Sequence, residues 1–220
     1  MTGLFITFEG IEGCGKTTQI RLLAERLEAA GHAVLFTREP GGCPIADQVR
    51  AILLDAGNTA MVPLAELLLY AAARAQHVQE VISPALAAGR TVLCDRFTDA
   101  TLAYQGYGRG LDRTIIDRLN RLASAGATPD LTILLDCPVE IGLSRAIARN
   151  DSRSGVAGEP KEERFEREAR QFHERVREGY LTLARQETGR FVTVDASRGR
   201  EETAAELFSL VTARLSGGRP

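Results

Sequence analysis

The fold is decided by residues 4–18, which read Leu-Phe-Ile-Thr-Phe-Glu-Gly-Ile-Glu-Gly-Cys-Gly-Lys-Thr-Thr. Residues 4–8 form a short and nearly unbroken apolar run, which is typical of a strand covered on both faces in a parallel sheet. Residues 10–17 match the pattern G-x-x-x-x-G-K-[ST]. Apolar residues then recur at helical spacing, and Gly31 can end that helix. The stretch therefore predicts a strand, a phosphate-binding loop and a helix, in that order.

This loop also predicts a nucleotide site. In the pattern, successive backbone N–H groups point at phosphate oxygens, Lys16 reaches the transferring phosphoryl group, and Thr17 ligates Mg²⁺. The alternative, a glycine-rich turn with an incidental lysine, is disfavoured by the strand before the loop and the helix after it. We expect ATP and Mg²⁺ to bind here. The residues assigned to the nucleotide are Gly10, Ile11, Glu12, Gly13, Cys14, Gly15, Lys16, Thr17 and Thr18.

The pattern of strand and helix repeats along the chain. Further β-rich runs lie at 33–37, 91–94, 131–135 and 191–194. Helical sequence is predicted at 44–54, 63–88, 112–125, 139–149, 163–186 and 202–215. Five strands alternating with helices predict an α/β fold, a doubly wound five-stranded parallel sheet with helices on both faces, in a single domain spanning 1–220. Ligands of such sheets bind beyond the carboxyl ends of the strands.

Composition limits the class of protein and its partners. The chain has 220 residues, of which 44% are hydrophobic and 25% charged, and this balance favours neither disorder nor a membrane protein. The formal charge of −2 offers no basic field for a nucleic acid polymer, so we expect a small phosphate-bearing partner. No apolar stretch approaches a membrane span, and a cytoplasmic location is expected. The four cysteines are widely spaced without a C-x-x-C pair, which predicts reduced structural thiols.

Two carboxylates compete for the metal. Asp95 ends the run 91–94, where a strand presents a carboxylate to a nucleotide-bound Mg²⁺ or to its waters. An aspartate that caps the next turn is the alternative interpretation. Asp136 follows the run 131–135 in the same way, but Cys-Pro comes after it rather than Arg. We prefer Asp95.

Several further motifs fall in a recognisable order. They are Thr-Arg-Glu-Pro-Gly-Gly at 37–42, Tyr-Ala-Ala-Ala-Arg at 70–74, Asp-Arg at 95–96 and Tyr-Gln-Gly at 104–106. With the phosphate-binding loop, they make the chain resemble the bacterial thymidylate kinases over nearly its whole length. The resemblance implies transfer of the γ-phosphoryl group of Mg·ATP to dTMP, in the route to dTTP, by a homodimer.

The resemblance also implies an acceptor site. Arg38, Arg50 and Arg96 would bind the acceptor's monophosphate, since a guanidinium fork suits phosphate bidentately. Tyr70 and Arg74 share one helix face and would hold the base, although a half-buried tyrosine beside a surface arginine is the alternative. The other acceptor residues are Glu39 and Pro40, which shape the pocket, Thr101 and Gln105 at the base edge, Tyr104 against the sugar, and Glu12 at the 3′-hydroxyl.

A polar, glycine-bearing segment at 150–160 predicts a mobile lid at about 149–164. The loop carries Glu12 rather than an arginine, so the chain resembles the thymidylate kinases whose lid supplies the catalytic arginine. We favour Arg164, because Glu163-Arg164 matches the family's acid-arginine pair, with Arg153 as the alternative. The chain departs from the family in having Glu163 where Asp is usual and in extra residues at 155–162. The resulting catalytic set is Lys16, Arg96, Arg153 and Arg164, with Arg149 beside the nucleotide.

Three other classes of P-loop protein are weighed against this one. A signalling GTPase reads guanine with Asn-Lys-x-Asp, but the only lysines, Lys16 and Lys161, lie outside such a motif. A mechanical ATPase of the AAA type needs a larger body. The nearest competitor is another nucleoside monophosphate kinase, acting on AMP, UMP or CMP.

Overall fold

The structure is a computed structural model, and it describes residues 3–149, the backbone of 150–153, and residues 164, 165 and 168–217. Its centre is a five-stranded sheet of order β2-β3-β1-β4-β5 in which every neighbouring pair is parallel. The predicted α/β fold with a doubly wound parallel sheet is confirmed. The strands are β1 Phe5–Glu9, β2 Val34–Arg38, β3 Thr91–Asp95, β4 Leu131–Asp136 and β5 Phe191–Asp195.

Helices occupy the connections between the strands. A π-helical segment, Val78–Ile82, joins α3 to α4, so the predicted helix at 63–88 is one nearly continuous helical stretch. A second π-helical segment, Leu102–Gly108, follows α5. The helices are α1 Lys16–Ala29, α2 Pro44–Leu54, α3 Pro63–His77, α4 Ser83–Ala87, α5 Thr98–Thr101, α6 Arg113–Ser124, α7 Val139–Arg153, α8 Arg170–Gln186 and α9 Arg200–Leu215.

The helices lie on both faces because crossovers between parallel strands are right-handed. The connection from β1 to β2 runs toward one edge of the sheet and the connections from β2 through β5 run toward the other, so α1 lies opposite the helices of those later connections. α9 packs against α1. Ile6 and Phe8 of β1 belong to the core that holds Leu23 and Val211, whereas Phe5 packs with a separate cluster around Ile82.

Two helix boundaries and one whole helical stretch differ from the prediction. α7 runs on to Arg153 instead of ending at 149, because extending an existing helix costs far less than nucleating one, even through polar residues. α8 begins at Arg170 rather than at 163, since Phe165 is held in a turn by ring contacts with Tyr104 and Phe172. The helical stretch 98–108 was not predicted, because its glycines and aromatic residues carry no helical period and packing decides its conformation.

Two properties of the chain bear on its surroundings. Within the part of the chain that the structure describes, none of the helices has both the length and the apolar character needed to cross a bilayer. Cys14, Cys43, Cys94 and Cys137 are all buried and free, as the sequence predicts.

The sheet gathers the motifs at one edge. β1, β2 and β3 end side by side, and Phe8 and Arg38 are both register partners of Asp95. The backbone N–H of Arg96 donates to the Phe8 carbonyl at 2.9 Å, and that of Glu39 donates to the Asp95 carbonyl at 2.9 Å. The phosphate-binding loop and the two motifs that follow β2 and β3 therefore share one edge.

Candidate active site

The phosphate-binding loop fits closely between β4 and α7. Gly13 has φ +70, and a Cβ there would lie 1.9 Å from the Gly142 carbonyl oxygen. At Gly10, with φ +136, a Cβ would lie 2.4 Å from the Leu135 carbonyl oxygen. Both positions need glycine, because the left-handed backbone and the close approach each exclude a side chain. The close packing of the loop thus requires two of the glycines in its sequence pattern.

Lys16 is buried at the start of α1 and folds back over its own loop. Its Nζ donates to the carbonyls of Gly10 at 2.9 Å and Ile11 at 2.8 Å. These carbonyls hold the ammonium group against the loop. Phosphate oxygens carry charge and form stronger hydrogen bonds than carbonyls, so they can compete for this lysine.

Thr17 and Asp95 form the pair that suits a magnesium ion. The Thr17 hydroxyl donates to Asp95 Oδ2 at 2.7 Å, so the two oxygen ligands already converge. Mg²⁺ prefers a few hard oxygen ligands together with water and phosphate, and this pair meets that requirement. Asp136 is instead held bidentately by Arg177, at 2.7 and 2.8 Å. The structure therefore favours Asp95 over Asp136.

Glu12 lies between the loop and the acceptor residues. Its Oε1 accepts from Arg96 Nη2 at 3.0 Å and from the Tyr104 hydroxyl at 2.5 Å. Its Oε2 is buried without a hydrogen-bond donor among the described residues, and His173 Nδ1 lies 3.3 Å away, outside hydrogen-bond geometry. One carboxylate oxygen is thus fixed and the other remains an acceptor for a further hydroxyl.

The pKa of Glu12 follows from these neighbours. Burial by itself would raise the pKa, but the Arg96 guanidinium acting together with His173, Lys16 and Tyr104 outweighs burial and holds the pKa well below its ordinary value. Glu12 is therefore an anion at neutral pH. An anion beside a phosphate-binding loop is suited to accept a hydrogen bond from a neutral hydroxyl rather than to contact phosphate.

Arg96 is oriented from several sides. Its backbone has φ +69, a left-handed conformation uncommon for a side-chain-bearing residue. The guanidinium donates to the Tyr180 hydroxyl at 3.2 Å and lies 4.7 Å from the Tyr104 ring centroid. Unusual backbone angles of this kind persist where surrounding contacts fix them, and they cluster at functional sites. The contacts with Tyr180 and Tyr104 therefore orient the guanidinium.

Beneath Arg96 lies a second carboxyl group, that of Glu9. Its oxygens accept from the Phe97 N–H and from the Tyr180 hydroxyl, each at 2.8 Å. Burial, together with the charge of Asp99, raises the pKa of Glu9 to about 8. Glu9 is therefore mostly protonated at neutral pH, in contrast to Glu12.

Arg74 is buried rather than exposed, so the interpretation of a surface arginine is wrong. It is 2% exposed and donates to Glu39 Oε2 at 2.8 Å and to Asn120 Oδ1 at 2.6 Å. Its Nη2 also donates to Thr101 Oγ1 at 3.0 Å, which brings two predicted base contacts together. Tyr70 is half-buried four residues earlier, on the same face of α3.

Gln105 and Arg164 meet at a carboxylate that the sequence did not single out. Gln105 Nε2 donates to Glu66 Oε1 at 2.7 Å, and Arg164 Nη2 lies 2.6 Å from Glu66 Oε2. Arg164 Nη1 also donates to the Leu53 carbonyl at 3.2 Å. Arg164 thus shares the Glu66 carboxylate with Gln105, and its catalytic role stays a prediction.

The motif after β2 forms a compact turn. Arg38 Nη2 donates to Asp47 Oδ1 at 2.9 Å on an exposed surface, and Arg50 Nη1 donates to the Pro40 carbonyl at 2.9 Å. The Glu39–Pro40 peptide bond is cis. The turn therefore places both arginines near the end of β2. Glu39, the first residue after β2, accepts a hydrogen bond from Arg74.

The structure describes only some of the remaining residues of the predicted lid. Arg149 lies exposed on α7. The side chain of Arg153, together with Glu163 and residues 155–162, lies outside the described residues. The predicted lid at 149–164 therefore stays a prediction.

Comparison with known proteins identifies the family of this chain over nearly its whole length. The family model for thymidylate kinase matches residues 8–207. The chain belongs to the thymidylate kinase family. It is 70% identical over 213 residues to the thymidylate kinase of Citrifermentans bemidjiense, covering 97% of this chain and 93% of the relative. It is 64% identical over 216 residues to that of Geotalea uraniireducens, covering 98% and 100%.

A solved thymidylate kinase also shares the fold. The crystal structure of thymidylate kinase from Ehrlichia chaffeensis superposes with a TM-score of 0.75 at 33% identity, covering 96% of this chain and 100% of that one. Membership of the thymidylate kinase family confirms the predicted resemblance. The chain is therefore an enzyme, and the switch GTPase and the mechanical ATPase are excluded.

Sequence reasoning missed several residues of this thymidylate kinase site. They contact the predicted residues from elsewhere in the fold, as Tyr180 and His173 do from α8. Only Glu66 left a signal, because it precedes Tyr70 and Arg74 at a spacing of four and so lies on the same helix face. The missed residues are Glu9, Glu66, Arg109, Asn120, His173 and Tyr180.

Proposed function

We propose that this chain transfers the γ-phosphoryl group of ATP to dTMP, and that Glu12 marks the junction of the two substrate sites. Phosphorylation of dTMP is the reaction of the family to which the chain belongs. Glu12 stands within the phosphate-binding loop, and its carboxylate is bonded to Arg96 and Tyr104 of the acceptor side. The position of Glu12 Oε1 between Arg96 and Tyr104 is the observation that supports the assignment most directly, because it joins the two halves of the site.

At the donor end, the loop amides and Lys16 bind the phosphates of ATP. Thr17 and Asp95 hold Mg²⁺ or its waters, and bound Mg²⁺ would neutralise charge on the phosphate oxygens. Thr18 and Arg149 complete the nucleotide contacts. The carbonyl partners of Lys16 are displaced by phosphate, which brings the ammonium group onto the transferring group.

At the acceptor end, the residues divide by the part of dTMP that they meet. Arg38, Arg50 and Arg96 bind the monophosphate, and Tyr104 packs against the deoxyribose. Glu12 accepts from the 3′-hydroxyl through its buried Oε2, which has no other donor among the described residues. The base and the pocket that surrounds it are served by Glu39, Pro40, Tyr70, Arg74, Thr101 and Gln105.

The chemistry requires positioning and charge neutralisation more than proton transfer. A phosphate oxygen of dTMP is already a competent nucleophile, so no general base is needed. Transfer is direct and in line, giving dTDP and ADP without a covalent enzyme intermediate. Lys16 and Arg96 supply positive charge from the two ends, and a lid arginine, Arg164 or Arg153, supplies the rest once both substrates are bound.

We propose that the working enzyme is a cytoplasmic homodimer. Its four buried free thiols suit a reducing compartment. Its exposed apolar side chains concentrate on α2, α3 and α6, and α3 packs against both α2 and α6. A contiguous apolar surface of this kind is suited to a subunit interface.

The test is ADP release from Mg·ATP with dTMP, dUMP, UMP, CMP and AMP as acceptors. We expect dTMP to be the best acceptor and dUMP to be slower by the modest factor that one methyl group gives. Lys16→Ala should abolish turnover while leaving the fold intact, because the carbonyl partners of its ammonium group belong to its own loop rather than to the core. Equal rates with dTMP and UMP, or near-wild-type activity in Lys16→Ala, would contradict the proposal and favour another monophosphate kinase.

A further inference from the structure

Glu66 forms a buried centre for three side chains, that of Gln105 within the second π-helical segment, that of Arg109 directly after it, and that of Arg164 from the turn before α8. It is 0% exposed on α3, and Gln105 Nε2 donates to its Oε1 at 2.7 Å. Arg164 lies 2.6 Å from Oε2, and Arg109 donates to Oε2 at 3.3 Å and to Oε1 at 3.4 Å. The two guanidinium groups compensate the buried charge, which would otherwise be costly. This compensation leaves Glu66 as a carboxylate that only accepts hydrogen bonds.

An acceptor at this position determines the orientation of the Gln105 amide. A glutamine amide has a donor end and an acceptor end of almost the same shape, and only its partners decide which end points where. Because the Glu66 carboxylate cannot donate, the amide nitrogen of Gln105 must face it. The carbonyl oxygen of Gln105 must then point away from Glu66. Gln105 is 1% exposed, so a reversed amide would leave two acceptors in contact within a buried space.

The amide is close to the residues assigned to the base. Gln105 follows Thr101 by one helical turn, and Thr101 Oγ1 accepts from Arg74 Nη2 at 3.0 Å. Glu66, Tyr70 and Arg74 fall at a spacing of four on one face of α3. Glu66 and Arg74 of α3 therefore contact Gln105 and Thr101 respectively, which lie one turn apart in the stretch 98–108.

The orientation of the amide bears on which base the site can accept. Thymine and uracil present an N–H donor at N3, whereas cytosine presents a bare acceptor nitrogen there. A carbonyl oxygen fixed by its surroundings accepts from the first kind of base and repels the second. We infer that Glu66 is a positioning residue which locks the Gln105 amide and thereby makes the acceptor site reject cytosine nucleotides. This inference rests on the proposed function of the site.

The experiment compares dUMP with dCMP, which differ only at this edge of the base. The readout is the ratio of their kcat/KM values with the full-length enzyme and Mg·ATP. In Glu66→Gln, the new amide can donate as well as accept, so Gln105 can present either end. We expect the dUMP/dCMP ratio to fall by about tenfold or more, since a site loses strong discrimination when its buried polar group is no longer fixed.

Arg109→Gln is the matched control. It also removes an ion pair of Glu66, but it leaves the carboxylate that faces Gln105. We expect its ratio to stay at the wild-type value. In a Gln105→Ala background, Glu66→Gln should cause no further change in the ratio, because the amide on which it acts is gone. If Glu66→Gln alone fails to fold, Glu66→Asp keeps the charge that compensates Arg109 and Arg164 but withdraws the shorter carboxylate from the Gln105 amide, and it provides the same readout.

The outcomes separate this inference from the proposed function. A folded Glu66 variant that keeps the wild-type ratio overturns the inference while dTMP phosphorylation by the wild type stands. A fall of the ratio in Arg109→Gln equal to that in Glu66→Gln also overturns it, because general loosening of the pocket would then be the cause. Absence of dTMP phosphorylation by the wild-type enzyme overturns the proposed function itself.

Discussion

Glu9 and Glu12 stand three residues apart on either side of Arg96, and their surroundings separate their pKa values. Glu12 contacts the guanidinium directly at 3.0 Å, and its pKa is lowered. Glu9 is more deeply buried with Asp99 nearby, and its pKa is raised to about 8. Two carboxyl groups with opposite shifts can perform different tasks in one site. Here Glu12 offers a charged acceptor, and Glu9 offers a neutral support for Tyr180 and the strand end.

This separation predicts a pH-dependent stability. Glu9 ionises near 4.5 in the unfolded chain and near 8 in the folded protein, so the stability that it contributes is full below pH 4.5 and is lost as pH rises through 8. Glu9→Gln cannot ionise. The melting temperature of Glu9→Gln minus that of the wild type should therefore increase between pH 5 and pH 9, by the equivalent of a few kcal/mol on the order expected for such a shift.

Glu12→Gln is the control for this prediction. Because the pKa of Glu12 is lowered, the stability that it contributes is present above pH 4.5 and is lost only at lower pH. Its difference from the wild type should stay flat between pH 5 and pH 9. A flat difference for Glu9→Gln as well would show that Glu9 ionises normally in the folded protein.

At the scale of elements, the close approach of α8 to the π-helical segment 102–108 completes the site. A Cβ at Gly179 would lie 2.7 Å from the Tyr107 ring, and one at Gly108 would lie 2.6 Å from the Phe172 ring. Glycine at both positions lets the two backbones come together. As a result, Tyr180 and His173 of α8 reach Arg96 and Glu12, which belong to other elements.

The lid arginine gives a prediction at the scale of elements. Charge develops on the transferring phosphoryl group, and the loop carries Glu12 in place of its own arginine. Replacing the responsible arginine, Arg164 or Arg153, with alanine should lower kcat by about 10²–10³, on the scale known for supplied arginines, and should change dTMP affinity little. Single-turnover kinetics and dTMP binding, measured separately, check this.

Arg185→Ala is a suitable control, because Arg185 is exposed on α8 and pairs only locally with Glu178 and Thr182. If Arg164→Ala and Arg153→Ala each retain most of kcat, the lid-arginine mechanism is wrong for this chain. If Arg164→Ala instead raises the KM for dTMP, its contact with Glu66 at the base end is its main role.

At the scale of the whole molecule, the exposed apolar surface predicts self-association. Leu64 and Leu68 form a pair one turn apart on α3, and Leu122 on α6 is 79% exposed. α3 packs against α6 on the sheet face opposite α1. We expect the wild type to be a dimer at micromolar concentration and Leu64→Glu/Leu68→Glu to be a monomer, as measured by analytical ultracentrifugation.

Ile147→Glu is the matched control, because Ile147 is similarly exposed but lies on α7. It should leave the dimer intact. A monomeric wild type, or dissociation by Ile147→Glu to the same extent, would contradict an interface on α3 and α6.

The sequence by itself determined the order of strands and helices, the phosphate-binding loop and the identity of most site residues. These features are local: the loop's glycines, Lys16 and Thr17 lie within one short segment, and the period of apolar residues reports burial directly. Asp95 was favoured over Asp136 on its neighbours alone, and the contact between Thr17 and Asp95 agrees with that choice.

Only the tertiary structure decided what surrounds those residues. Arg74 is buried because Glu39 and Asn120, from distant parts of the chain, compensate its charge, and no local pattern records such a partner. Gln105 likewise contacts Glu66, a partner from a distant part of the chain that no local pattern records. Burial, charge compensation and the direction of an amide all depend on groups that folding brings together from far along the chain. A pattern of neighbouring residues can therefore name the groups that act, whereas packing decides their charge state and orientation.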